Sequence, residues 1–262
     1  MEDNRTVGGR AVRFSREIAL TCGGLQSHTS VSQVNLRPTQ IFAKPRRELL
    51  SPDWLEPVAE ARFYAALKRL LDIVGGLAGL IILFPVIVLV AAITKLIDGG
   101  PVLYRHSRVG LNGQEFTCYK FRTMVSGADR MKCDIQHRNQ HNDNRTFKVP
   151  DDPRVTPFGR WLRRTSIDEV PQLWNVVKGD ISLVGPRPPI PEEVECYTPA
   201  DMRRLLVKPG LTCIWQVSGR GELPFPIQMR LDLHYIEHRS LWFDLRLILL
   251  TIPAVLRARG AY

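Results

Sequence analysis

The chain has 262 residues, 44% hydrophobic and 24% charged, which excludes a disordered chain and leaves room for one or two domains with a buried core. Lys and Arg number 36 against 26 Asp and Glu, a formal net charge of +10. The expected partner is therefore polyanionic: nucleic acid, an anionic membrane surface or a phosphorylated small molecule, among which charge alone does not choose. Cys22, Cys118, Cys133, Cys196 and Cys213 form no CxxC pair and no cluster with histidine at metal-ligand spacing, and their odd number argues against a disulfide framework, so a reducing compartment is expected. The start of the chain carries scattered charges without the apolar run of a secretory signal, so the bulk of the protein is expected in the cytoplasm.

Residues 1 to 58 mix Ser, Thr, Gln, Asn, Gly and Arg without a sustained period, and Pro38, Pro45, Pro52 and Pro57 interrupt the second half. This reads as a mobile tail, in which Lys44, Arg46 and Arg47 could touch anionic lipid. A second region, residues 59–98, contains an apolar segment from Leu70 to Ile97. Between Asp72 and Lys95 it has 22 residues without a charge, enough for a helix to cross a hydrocarbon core of about 30 Å. Two features argue against crossing. Pro85 removes a helix hydrogen bond at the middle while Gly75, Gly76 and Gly79 loosen the first half, so a bend is expected at Phe84-Pro85. The flanks are basic on both sides, with Arg62, Lys68 and Arg69 before and Lys95, Arg105 and Arg108 after, and give no preferred orientation for a span. A re-entrant helix that dips into one leaflet and returns is favoured over a spanning helix, and both over the core helix of a soluble protein.

Next, Val102 to Arg108 and Gln114 to Phe121 are rich in β-formers and flank Leu111-Asn112-Gly113, a hairpin with Gly at the left-handed position. Residues 126 to 150 are polar and read as a solvated loop. His137 and His141 stand four apart there, a metal-compatible spacing with no third ligand in pattern.

The stretch from Arg160 to Pro189 is the densest in chemistry. Val170, Leu173, Trp174 and Val177 predict a short amphipathic helix that stops at Gly179. Ser166-Ile-Asp-Glu169 matches a capping box, which would reduce both carboxylates to helix-dipole complements. Pro171 weakens that reading, since with Asp168 as the cap it falls in the first turn, where its missing N–H has no partner to lose. Asp168 and Glu169 then sit at a helix mouth beside Arg160, Arg163 and Arg164. Arginines hold phosphate oxygens bidentately, and a carboxylate binds Mg²⁺ or attacks phosphorus. Arg187 is framed by Pro186, Pro188 and Pro189, which leave its backbone little freedom to lose on binding. Downstream, Lys208-Pro209-Gly210 leads to Trp215 and Arg220, an aromatic face and a cation that could receive a base or sugar.

Over about residues 66 to 257 the chain resembles the bacterial sugar transferase family, the monotopic phosphoglycosyl transferases. The resemblance is carried by Lys120-Phe-Arg122-Thr-Met124, Thr165-Ser-Ile-Asp-Glu-Val-Pro-Gln-Leu173, Gly179-Asp-Ile-Ser-Leu-Val-Gly-Pro-Arg-Pro188, Lys208-Pro-Gly-Leu-Thr212, Trp215-Gln-Val-Ser-Gly-Arg220, and Leu231-Asp-Leu233 with Tyr235-Ile-Glu237. It implies an α/β, mixed and helix-rich catalytic head (residues 99–262, with a C-terminal interfacial helix) behind a proline-bent re-entrant membrane helix, on the cytoplasmic face of the inner membrane. It also implies Mg²⁺ dependence and transfer of hexose-1-phosphate from a UDP-sugar, of the UDP-glucose or UDP-galactose kind, to a polyprenyl (undecaprenyl) phosphate with release of UMP. In this reading Asp168 is the nucleophile and metal contact and Glu169 its acid/base partner. Arg163, Arg187, Lys120 and Arg122 hold phosphates and nucleotide, and Phe84 and Pro85 form the bend. The implied partners are UDP-sugar, polyprenyl phosphate and anionic membrane, with no nucleic acid; a homodimer stays open. The chain departs from the pattern at Phe84, where some members have Ser, and at Cys213-Ile214, where Gly-Leu is usual. The multi-helix membrane region of the large members is also absent from it. Two other functions fit the residues alone: a non-catalytic basic membrane adaptor, and a Mg²⁺-dependent phosphatase or nucleotidase with water as acceptor.

Overall fold

A long helix, α1 (Arg62–Asp98), runs through Pro85 without interruption for 37 residues, about 55 Å at 1.5 Å per residue. The computed structural model describes residues 62–131, 134–135, 149, 151–218 and 223–256. The N-terminal tail, the His137 and His141 pair and Arg220 lie outside them. In the most apolar window of α1 only 11% is buried, and Ile81, Ile82, Phe84 and Leu89 are exposed. A soluble core helix would bury that stripe.

The opposite face of α1 meets the head. Asp72, 2% exposed, accepts hydrogen bonds from Ser182 Oγ at 2.9 Å and the Leu183 amide at 2.8 Å. A Cβ on Gly75 would lie 2.6 Å from Leu183 Cδ1, and one on Gly76 would lie 2.9 Å from Val177 Cγ2. These glycines, expected to loosen the helix, instead let the head approach its backbone. The basic flank is also reassigned. Lys68 Nζ donates to Asp244 Oδ2 at 2.7 Å and to the Val184 carbonyl at 3.0 Å, and Arg69 donates to the carbonyls of Val176 and Val177 at 2.7 and 2.6 Å. Farther along, Val90 joins Phe121 and Leu162 in a buried cluster, with Val86, Ile87 and Ala91 packed against it.

The hairpin forms as expected. β1 (Leu103–Val109) and β2 (Glu115–Phe121) pair antiparallel from Leu103↔Phe121 to Val109↔Glu115. The turn takes Asn112 (φ 55) as well as Gly113 (φ 74) into the left-handed region, which a short polar side chain tolerates. Helix α2 (Pro157–Arg164) starts at Thr156, whose Oγ1 accepts from the Gly159 amide at 2.9 Å.

The dyad is not in the first turn of the next helix. Ile167–Glu169 forms a separate 3₁₀ turn, Ser166 adopts φ 58 with no side-chain cap, and Pro171 is itself the N-cap of α3 (Gln172–Lys178). The capping box is therefore absent. Gly179, at φ 98, ends α3 as expected. The buried face of α3 is also not the expected one: Gln172, Leu173, Asn175 and Val176 are buried while Trp174 is 53% exposed. The reason is Asn175, which donates to the Thr117 carbonyl at 2.7 Å and accepts from the Tyr119 amide at 3.2 Å. A polar residue at the hub between α3 and β2 defeats a hydrophobic period.

β3 (Ser182–Val184) and β4 (Gly210–Thr212) pair in parallel. Helices α4 (Pro191–Glu195), α5 (Pro199–Met202), α6 (Ile214–Ser218), α7 (Phe225–His238) and α8 (Leu241–Leu256) complete the described head, a mixed and helix-rich architecture. Asp244 of α8, fully buried, accepts from Lys68, from Tyr64 at 3.1 Å and from Tyr235 at 2.7 Å, fastening the start of α1 to α7 and α8.

Candidate active site

The turn between α2 and α3 sets Asp168 and Glu169 in the lining of a cavity of about 1140 Å³, which also carries Lys120, Arg122, Arg163 and Arg187. All six groups singled out from the sequence as catalytic or phosphate-binding thus converge. Phe84 and Pro85 do not join them; both are exposed on α1.

Each side chain has a local cause for its position. Lys120, near the end of β2, reaches Glu169 Oε1 at 2.5 Å and stands 4.0 Å from Asp168 Oδ2. Arg163, in the last turn of α2, donates from Nε to Thr123 Oγ1 at 2.9 Å. Arg122 lies across Gly100, where any Cβ would collide with its guanidinium. Trp215 is buried at 6% exposure and also lines the cavity.

The two carboxylates differ in electrostatics. Asp168 is 7% exposed. Burial, opposed by Lys120 and reinforced by the negative charge of Glu169, raises it to about 6. The sequence suggests instead a helix mouth and arginines that would hold it low. The separate 3₁₀ turn removes the helix mouth, and desolvation prevails. Burial pushes Glu169 upward too, but its contact with Lys120, followed by Arg187 and Arg108, holds it below its ordinary value. At neutral pH both are ionised, and Asp168 is the one poised near its titration.

The sequence reading misses part of the wall. Tyr104, His106 and Arg108 alternate along β1 and line the cavity opposite β2. Period-two alternation in the strand is the available signal; from its place in the chain Arg108 reads as a membrane flank. Burial and then Arg108, Lys120 and Arg187 lower His106 to about 3, so it is neutral. Arg108, lowered to about 10 by burial and Arg187, stays charged.

The lining of the cavity also includes apolar residues, among them Gly79 and Leu83 of α1 and Ile248 and Ile252 of α8. No group of three or more His, Cys, Asp or Glu side chains suited to a metal occurs among the described residues. Two adjacent carboxylates that share a cavity with Lys120, Arg122, Arg163 and Arg187 nevertheless fit Mg²⁺, which is commonly held by one or two carboxylates together with substrate phosphates.

Residues 63–258 match the model of the bacterial sugar transferase family. The chain is 48% identical over 196 residues to the galactosyl transferase CpsE of Streptococcus agalactiae, covering 74% of this chain and 43% of that protein. It is 43% identical over 198 residues to the exopolysaccharide production protein ExoY of Sinorhizobium fredii, covering 74% and 88%. It is 42% identical over 200 residues to the undecaprenyl-phosphate galactose phosphotransferase of Salmonella typhimurium, covering 75% and 42%. It therefore spans less than half the length of the first and third of these relatives and most of the second. With the dyad, the cationic wall and this similarity over most of the described head, the chain belongs to the bacterial sugar transferase family.

Proposed function

We propose that the protein transfers a hexose-1-phosphate from a UDP-sugar to a polyprenyl phosphate as a membrane step of exopolysaccharide synthesis. The observation that carries this reading is one cavity lined both by an acid dyad among cations and by apolar residues of α1 and α8. An anionic head group on a long apolar chain fits that mixed lining, and the diphosphate of a UDP-sugar fits its cations.

In the first step a carboxylate oxygen of Asp168 attacks the phosphorus that bears the sugar. The bond from that phosphorus to the bridging oxygen breaks and UMP departs with the electron pair, leaving an aspartyl phosphosugar. In the second step an oxygen of polyprenyl phosphate attacks the same phosphorus and displaces Asp168, and Glu169 accepts any proton the acceptor loses. Lys120, Arg163 and Arg187 balance phosphate charge in a partly dry site, where charge-assisted hydrogen bonds are strong. Asp168, with Glu169 beside it, would hold Mg²⁺, which neutralises phosphate charge when bound.

The reading includes a re-entrant α1 at the cytoplasmic face of the inner membrane. It is supported by Asp72 and Val90, which are both buried against the head although they lie ~27 Å apart along a straight helix. A straight crossing helix would carry them toward opposite faces of the bilayer, and Pro85 lies between them. Two of the relatives are named for galactose, which favours that sugar.

The purified chain in nanodiscs, given UDP-galactose or UDP-glucose alone, should release UMP once per enzyme and gain the mass of one hexose phosphate. Polyprenyl phosphate should then make UMP release continuous and yield a lipid-linked sugar. Release of free sugar phosphate instead would assign the site to hydrolysis. Neither adduct nor UMP with any UDP-hexose would remove the transferase reading.

A further inference from the structure

Arg187 sits in a loop that hydrogen bonds to its own neighbours cannot hold. Pro186, Pro188 and Pro189 have no N–H, so the segment is fastened chiefly through its carbonyls. Each of the four is taken by a donor distant in the chain, two of them from β1. The Pro186 carbonyl accepts from the Gly210 amide at 2.9 Å, and that of Pro189 accepts from the Val109 amide at 2.9 Å. The Pro188 carbonyl accepts from Arg108 Nη1 at 2.8 Å, and the Arg187 carbonyl from Arg204 Nη2 at 3.0 Å.

The last of these donors stands apart. Arg204 is 5% exposed and Asp232 is 1% exposed, and they pair at 2.6 Å. Arg204 Nη1 also donates to the Tyr197 hydroxyl at 2.7 Å, and its guanidinium lies 5.8 Å over the Tyr197 ring. Unlike Arg108, Arg204 does not line the cavity. A buried guanidinium ion-paired with Asp232, set over an aromatic face and bonded to the backbone of a cavity-lining arginine reaches the cavity through that arginine.

We infer that Arg204, held by Asp232 and Tyr197, is a positioning residue that sets the backbone of Arg187 so that its guanidinium meets the diphosphate of the nucleotide. The inference rests on the reading of Arg187 as a phosphate ligand. It assigns the Leu231-Asp-Leu233 motif a purpose, since Asp232 is the anion that keeps Arg204 in place. A lysine at position 204 keeps the charge but has no planar fork with which to reach Asp232, Tyr197 and the Arg187 carbonyl together.

The test is a double-mutant cycle on UDP affinity, measured by calorimetry with the full chain in nanodiscs. Arg187→Ala should weaken UDP binding about 10- to 100-fold, the range of a charge-assisted contact. Arg204→Lys should weaken it about tenfold in the parent but less than about twofold in Arg187→Ala, because the residue it positions is then gone. A purely structural Arg204 would lower the thermal midpoint in both backgrounds and leave UDP affinity unchanged. Multiplying losses, an unaffected Arg204→Lys, or an Arg187→Ala protein that binds UDP like the parent would each overturn the inference. If Arg204→Met fails to fold because Asp232 is stranded, the charge-retaining lysine variant still completes the cycle. UMP release by the parent is scored separately, so failure of the transferase reading is distinguishable from failure of this one.

Discussion

Asp168 and Glu169 are neighbours in sequence with opposite electrostatic fates, because Lys120 touches Glu169 at 2.5 Å and stands 4.0 Å from Asp168. The proposed nucleophile therefore lacks the closer counter-charge, and burial raises it from 3.8 to about 6. For a carboxyl whose folded value is raised, the stabilising contribution is fully present below about pH 4 and is lost as pH rises through 6. Asp168→Asn removes a group that resists burial at neutral pH. It should abolish the phosphosugar adduct in intact-mass measurement and yet stabilise the protein at pH 7 by about 1–3 kcal/mol, a difference that vanishes near pH 4. Adduct formation by the parent should rise with pH as the coupled pair ionises, with a midpoint near 6 or lower, since Mg²⁺ held by Asp168 would favour the ionised carboxylate. An adduct on the Asp168→Asn variant would reassign the nucleophile.

Helix α1 is an element with two faces, one apolar and exposed, the other bonded to the head through Lys68, Arg69 and Asp72. The first two cations have unequal weight. Arg69 caps the last carbonyls of α3, a favourable but replaceable contact at a helix C-terminus. Lys68 neutralises Asp244, which is fully buried, and removal of one partner strands the other charge. Lys68→Met should therefore destabilise by about 3–5 kcal/mol and Arg69→Met by about 1–2 kcal/mol, although Arg69 makes two bonds to the head. Thermal unfolding in detergent reads both, and equal losses would mean that Asp244 finds another cation.

For the whole molecule the question is which side of the bilayer each end of α1 occupies. With single cysteines placed before Arg62 and after Lys95 in a cysteine-free background, an impermeant thiol reagent in right-side-out vesicles should label neither site in the parent. Pro85→Leu restores a helix hydrogen bond and gives an uninterrupted apolar run long enough to span. A fraction of the site before Arg62 should then become labelled, and that fraction should grow when Lys68→Met releases the anchor on Asp244. Labelling of that site in the parent would show a crossing helix and remove the argument from Pro85 and the shared head.

The hairpin around Asn112-Gly113, the apolar length of α1, the stop at Gly179 and the adjacency of Asp168 and Glu169 were legible in the sequence, because each depends on residues within a few positions of one another. Gathering Lys120, Arg163 and Arg187 at that dyad could be expected from motifs, but not built from spacing. What the tertiary structure decided involves partners far apart in the chain. Lys68 meets Asp244 across 176 positions, and Asn175 turns the face of α3 toward a strand 58 positions away. Gly75 and Gly76 serve close approach because Leu183 and Val177 arrive beside them. Arg108 leaves the membrane flank for the cavity wall because β1 pairs with the strand that carries Lys120. Local chemistry selects turns, helices and the adjacent acids; which charges are buried, and therefore which carboxylate is raised and which is held down, depends on contacts that exist only after the chain has folded.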